Sequence, residues 1–258
     1  LVMELCQGGE LYQLLKERRA GHTSQQVIGI EEQKARQYFA DIVKGLNYLH
    51  NTMRITHRDL KLSNILLYID SDQQSVAKIG DFGLACYTAA TGQDAHNNIS
   101  TYLNMTICGT PNYLAPEVVQ KRPYGQEADL WSLGCLLFAM LVGRAPFEGH
   151  SLRATFDKVV AGVYTVPETV SPAGRDIISK LMQTDPQRRP SIASLLEHPF
   201  VTGYKLFTLP PSLTTLNPPT IGQMDARGLK PIKQTIKHGT IAIDPTSRVI
   251  VTGDADRS

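Results

Sequence analysis

The sequence predicts an α+β fold that is mainly helical, with short strands set among the helices. Three observations carry this. Within residues 31–51, Ala35, Phe39, Ile42, Leu46 and Leu49 recur at spacings of four, three, four and three, one apolar stripe along a helix. The run "LWSLGCLLFAMLV" (130–142) is apolar on all sides, as a helix inside a core is, and too short to span a bilayer. Between them, "ILLYI" and "VAKI" read as two strands around the turn-rich "DSDQQS".

Taken in order, "GELYQLLKERR" reads as a helix opened by Gly8 and Gly9, after an apolar run already under way at Leu1. The striped helix follows, and "ITHRDLKLSN" then breaks the helical period ahead of the strand pair. From 82 to 105 the chain turns polar and small, and "TAATGQDAHNNIS" offers no stable period, so a long loop is expected there. Helical patterns resume at 126–142, 151–161, 173–183 and 191–197, punctuated by "GRAPFEG" and "TDPQRRPS". After "HPFVTGY" the Pro- and Thr-rich "TLPPSLTTLNPPTIG" reads as a linker, expected over 204–225. In 226–258, "GTIAIDPTSRVIVTG" reads as two short strands around a Pro-containing turn. A lone hairpin is marginal in water, so this end reads as the start of a larger β-rich unit.

At 258 residues the chain suits one large domain with an appendage. Its 26 Lys and Arg nearly cancel its 24 Asp and Glu, which argues against nucleic-acid or membrane partners. The basic cluster at 16–19 reads as a solvated helix face. Four scattered cysteines, Cys6, Cys86, Cys108 and Cys135, form no C-x-x-C pair. That argues against a zinc site or disulfide framework and for a reducing compartment, the cytoplasm. No signal peptide is seen.

The chemistry is concentrated in "HRDLKLSN" (57–64), "DFG" (81–83) and "APE" (115–117). Each is weak alone; in this order, behind a helix, the set resembles the signature of eukaryotic protein kinases. The stretch "DLWSLGCLLFAMLVGRAPFEG" likewise resembles the central helix of the kinase C-lobe. The resemblance implies a protein-kinase-like C-terminal lobe with a truncated N-lobe over 1–203, using ATP and Mg²⁺ on protein Ser/Thr hydroxyls. Phosphoryl transfer needs positioning and charge neutralisation more than covalent help. On this pattern Asp59 would orient the substrate hydroxyl and accept its proton, and Lys61 would neutralise the γ-phosphoryl group. Asn64 and Asp81 are hard oxygen donors suited to Mg²⁺. A general-base role is imaginable for His57, but the resemblance makes it a packing residue behind Phe82, which Gly83 follows. Lys78 in "VAKIG" mimics the ATP-pairing lysine of V-A-I-K, yet its place directly before DFG means it is not that lysine.

The resemblance further implies that Asp129 holds the catalytic loop's backbone and that Glu117 and Arg189 form a buried ion pair. Lys61 with Thr110 in "GTPNY" marks the serine/threonine branch. Thr106 is the candidate activation-loop phosphosite, with Arg58 as the partner of its phosphate. The 81–117 segment is longer than the family's usual one. At the start, "LVMELCQGGEL" resembles the last N-lobe strand running into the hinge. Met3 would be the gatekeeper, and the Glu4 carbonyl and Cys6 N–H would pair with the adenine edge. Glu10 would approach the ribose and Leu66 would floor the adenine pocket. The 258 residues hold no G-x-G-x-x-G loop, V-A-x-K lysine or partner glutamate, so negligible activity and weak ATP binding are expected of them alone.

Within kinases, "TICGTPNYLAPEV" and "HRDLKLSNILL" look most like the polo-like family, and "KLSN" leans towards its fourth, SAK-type member. That member controls centriole duplication in the cell cycle. "LKPIKQTIKHGTIAI" is similar to the opening of its cryptic polo box, which implies a centrosomal location and a homodimer through the polo-box region. The alternative is a lobe-less pseudokinase acting as a scaffold or docking module. The intact set Asp59, Lys61, Asn64 and Asp81 favours the enzyme.

Overall fold

A computed structural model describes residues 4–20, 29–87 and 108–203, and builds them around one helix with almost no solvent face. The described elements, in order, are α1 (Leu11–Ala20), α2 (Glu32–Asn47), β1 (Ile55–Thr56), β2 (Ile65–Ile69), β3 (Ser75–Ile79) and β4 (Cys86–Tyr87). Then come α3 (Pro116–Val119), α4 (Glu127–Val142), α5 (Leu152–Ala161), α6 (Pro172–Leu181), α7 (Ile192–Leu196) and α8 (Pro199–Thr202). This is the expected mainly helical α+β lobe with only small sheets. Met3, Thr106, most of the predicted loop, the 204–225 linker and the 226–258 hairpin lie outside the described residues. Among the described residues no helix is long and apolar enough to cross a membrane.

The apolar pattern dictates the packing. In α4 every residue from 128 to 140 is buried, and Trp131 stacks on Phe147 with ring centroids 5.5 Å apart. The five stripe residues of the 31–51 pattern are all inaccessible to solvent. The α-helical hydrogen bonding stops at Asn47 and the chain completes the stripe through a π-helical turn, Tyr48–Thr52. α2 lies against β3, α4, α7 and α8, and α6 packs along α4. Serine side chains cap α5, α6 and α7: Ser151, Ser171 and Ser191 each accept a backbone N–H from the first turn.

Two antiparallel ribbons present the loops that matter. β2 and β3 pair from Ile65↔Ile79 to Ile69↔Ser75, closed by a turn in which the Asp70 carboxylate accepts from the Asp72 and Gln74 N–H groups. β1 pairs with β4 through Ile55↔Tyr87 and Thr56↔Cys86. The "HRDLKLSN" loop therefore leaves one ribbon and enters the other.

Two buried polar assemblies anchor this arrangement. Asp129, in the first turn of α4 and fully buried, accepts the His57 N–H on Oδ2 and the Arg58 N–H on Oδ1, both at 2.8 Å. His50 Nε2 lies 2.7 Å from Oδ2. Burial opposes the Asp129 charge, but the His50 contact and the charges and N–H around it hold the carboxyl below its ordinary 3.8. Lower in the lobe, Arg189 meets Glu117 with two parallel bonds of 2.6 and 2.8 Å, and also donates to the Glu127 and Gln183 carbonyls. Its guanidinium lies 5.3 Å from the Trp131 ring. Glu117→Gln leaves a buried guanidinium without its counter-charge, so a loss of about 3–5 kcal/mol is expected in urea denaturation.

His57 sets the acid side of stability. Its Nδ1 accepts the Asp59 N–H at 3.3 Å and its Nε2 donates to the Gly80 carbonyl at 3.0 Å, so the ring is neutral. Full burial pushes its pKa below 6.5 against the pull of Asp129. A depressed histidine contributes stability that is complete above 6.5 and is lost as pH falls below it, because the unfolded chain takes the proton first. Asp129 acts in the same sense below 3.8. Urea midpoints are therefore expected to fall between about pH 7 and about pH 5, by up to ~1.4 kcal/mol per pH unit from His57. His57→Gln is expected to flatten that portion of the curve, and an equal slope in both proteins would refute the assignment.

Candidate active site

The loop between β1 and β2 gathers its polar groups on Asp59, which is only 8% exposed. Both of its carboxylate oxygens are used. Oδ1 accepts the Thr110 N–H at 3.0 Å and the Thr110 hydroxyl at 2.9 Å. Oδ2 accepts Lys61 Nζ at 2.5 Å and Asn64 Nδ2 at 3.2 Å, and the same Asn64 amide also donates to the Asp59 carbonyl at 2.8 Å. Asp59, Lys61, Asn64 and Thr110, named separately in the sequence, are thus one hydrogen-bonded cluster. Gly109 makes the approach of "GTPNY" possible. Its φ of +109° is closed to side chains, and a Cβ there would stand 2.8 Å from the Arg58 carbonyl.

Arg58 itself is left-handed (φ 68°), its N–H on Asp129 and its Nε donating to the Leu84 carbonyl at 2.5 Å. Around it sit Cys86, Cys108 and Tyr124, with Cys108 Sγ 3.4 Å from the Tyr124 hydroxyl. Burial pushes both the Cys86 thiol and the Tyr124 phenol up, which keeps those two neutral beside the Arg58 guanidinium.

The "DFG" turn approaches from β3. Phe82 is buried edge-on against His57, with ring centroids 5.1 Å apart. Asp81 is exposed and left-handed (φ 58°), and its Oδ1 accepts the Gly83 N–H at 3.1 Å. The charges of Asp129, Asp59 and Asp81 all pull the His57 pKa upward, and burial outweighs them. The Asn64 nitrogen is turned to Asp59, which directs its amide oxygen away from it. One carboxylate and one amide oxygen match a hard cation that takes most of its ligands from phosphate and water. Among the described residues no three His, Cys, Asp or Glu side chains converge as a protein-only metal cage.

The segment expected to be the hinge runs against β2. Gly8 N–H donates to the Leu67 carbonyl at 2.9 Å, and Leu67 N–H to the Gly9 carbonyl at 2.8 Å. A Cβ at Gly8 would fall 2.7 Å from that of Leu67, so glycine is required for this approach. Glu10 bridges to Leu66 and its carbonyl opens α1 by accepting from Gln13 and Leu14. Cys6 is half-buried, and Glu4 turns its carboxylate onto Lys78. Glu117 and Arg189 sit beneath the site rather than in it. Two contributors escaped the sequence reading. His50 stands four residues past Leu46 on the apolar face of the striped helix, a signal for a buried polar partner. The Glu4–Lys78 pair joins residues 74 apart and left no local pattern.

Residues 1–201 match the protein kinase domain family. The serine/threonine-protein kinase PLK4 of Nematostella vectensis is 42% identical over 220 residues, which is 84% of this chain and 20% of that protein. PLK4 of Danio rerio is 41% identical, covering 78% of this chain and 19% of its own length. The serine/threonine-protein kinase PLK1 of Xenopus laevis is 38% identical, covering 84% and 33%. The chain spans about a fifth to a third of the length of these relatives. A base-like carboxylate clasped by Lys, Asn and Thr, a "DFG" turn packed on its histidine and a match over most of the chain agree: this chain belongs to the protein kinase family, alongside serine/threonine kinases of the polo-like kind.

Proposed function

We propose that the protein transfers the γ-phosphoryl group of ATP to serine or threonine hydroxyls of proteins. The Asp59 cluster carries this reading: one carboxylate held from four directions by an ammonium, an amide, an N–H and a hydroxyl. Such a carboxylate cannot rotate away, so it can orient an incoming hydroxyl and take its proton as the bond to phosphorus forms. Lys61, 24% exposed beside it, brings a positive charge to the equatorial oxygens where charge develops. Asn64 and Asp81 would hold Mg²⁺, which neutralises phosphate oxygens when bound. On the opposite wall, the Glu4 carbonyl and Cys6 N–H would meet the adenine edge, Glu10 the ribose and Leu66 the adenine face.

The finer reading is a SAK-type regulator of centriole duplication, acting at the centrosome and dimerising through a polo-box region that begins at residue 226. It is supported by "KLSN" and by "LKPIKQTIKHGTIAI". Thr106, with Arg58 as the charged partner of its phosphate, would be the activating site.

In the natural full-length protein, Asp59→Asn is expected to lower kcat for a protein substrate about 10²–10⁴-fold in a phosphate-transfer assay, with little change in ATP KM. The 258 residues alone are expected to give no measurable turnover. Robust turnover by them would sink that part, and activity indifferent to Asp59→Asn would sink the mechanism. Thr106→Ala is expected to remove most of the full-length activity, by roughly tenfold or more, while Thr106→Glu recovers a fraction. Unchanged activity in Thr106→Ala would dispose of the switch.

A further inference from the structure

Lys78 resembles the ATP-pairing lysine of V-A-I-K in wording but occupies the strand leading to "DFG", and phosphoryl transfer at Asp59 gives it no task. Its surroundings do. The residue is 3% exposed, and lysine is rarely buried without a partner. Its ammonium is bonded to the Glu4 carboxylate, whose side chain remains 30% exposed, and it lies 4.2 Å from the centroid of the Tyr68 ring. In the β2–β3 ladder Lys78 stands directly opposite Leu66, and opposed residues share a face of the sheet. Gly80, two residues on and so on the same face, packs against the Leu66 side chain. The lysine therefore rises beside the residue that would floor the adenine and ends on the segment that would read its edge.

The segment from Glu4 to Gly9 is consequently held at two points of different kinds. At Gly8 and Gly9 it is held by backbone bonds to Leu67. Four residues earlier, its hold on the lower sheet passes through the Glu4 side chain. Between these points a turn closes with Gly9 N–H on the Cys6 carbonyl at 3.1 Å. The Lys78 charge also bears on the Cys6 thiol, partly offsetting the effect of its burial. We propose that Lys78 is a positioning residue for nucleotide binding, its ammonium clamping the Glu4 carboxylate so that the hinge backbone from Glu4 to Cys6 faces the adenine edge. This rests on the kinase reading. Lys78→Met keeps the apolar stem over Tyr68, and Glu4, being partly exposed, rehydrates when released, so the variant loses direction rather than packing.

In the natural full-length protein, Lys78→Met is expected to raise the ATP KM roughly threefold to tenfold while kcat and the peptide KM stay within about twofold. Lys78→Arg recovers most of the loss. Glu4→Gln moves the ATP KM in the same direction, and the double variant is no worse than the worse single one, because both remove one clamp. An unchanged ATP KM overturns the proposal, as does an equal loss in ATP KM, peptide KM and thermal midpoint. Absence of any Asp59-dependent transfer in the parent protein sinks the kinase reading instead. Amide hydrogen exchange then still tests the clamp: Lys78→Met must speed exchange at residues 5–9 without speeding it in β2 and β3, and unchanged exchange there overturns it.

Discussion

One buried carboxylate, Asp129, decides where the candidate site lies. A charge with no solvent contact is costly unless several donors meet it. Asp129 has backbone N–H groups at 2.8 Å from two consecutive loop residues and a histidine nitrogen at 2.7 Å. It also stands in the first turn of α4, where the helix dipole favours a negative charge. Because α4 is the most buried element, a loop hung on its first turn cannot drift without uncovering the core. The left-handed Arg58 follows from this. Its φ of 68° is a strained choice, offset by its N–H on Asp129 and its Nε on the Leu84 carbonyl. Turning the chain there aims the next residue, Asp59, away from Asp129 and into the Lys61, Asn64 and Thr110 cluster.

The second hold on Asp59 comes from the far side, through "GTPNY". Thr110 gives both its N–H and its hydroxyl to one oxygen of Asp59. The segment that delivers Thr110 ends in "APE", where Glu117 is fixed to Arg189 and, through it, to the Glu127 carbonyl and the Trp131 ring. Those last two belong to α4. The loop that carries Asp59 and the segment facing it therefore refer to the same helix by separate routes, one through Asp129 and the other through Arg189. Their relative placement is a property of the core, and the Asp59 cluster inherits it.

Long periodic elements were legible in the sequence; short and non-local ones were not. The stripe from Ala35 to Leu49 and the unbroken apolar run of α4 each span several turns, enough for burial to write a period. α3 and α8, of four residues each, and the two-residue strands β1 and β4 are shorter than any period they could display. Cys86 and Tyr87 accordingly read as loop, although tertiary pairing with Ile55 and Thr56 makes them a strand. At the site, residue types could be named from motifs, but not how they divide one carboxylate between them. Thr110 carried only a branch label, whereas the structure makes it a double donor to Asp59. His50 and Lys78 went unassigned because their partners, Asp129 and Glu4, lie 79 and 74 residues away.

The two walls of the site are held with unequal strength, and burial explains the inequality. Under the base, the pairing partners are all but inaccessible: side-chain exposure is 0% for Arg189, 5% for Glu117, and 3% and 0% for His50 and Asp129. Removing one member of such a pair costs several kcal/mol, a large share of a domain's net stability. At the Glu4–Lys78 pair the carboxylate is 30% exposed and the lysine 4%, so water competes for Glu4 and not for Lys78. A change at Asp129 or Arg189 thus threatens the fold before it reaches the chemistry. Losing Lys78 releases a carboxylate that water can take up, so that effect falls on geometry more than on the fold. On the proposed function, rigidity would be concentrated where a proton is taken from a fixed direction, and compliance left where the adenine would enter.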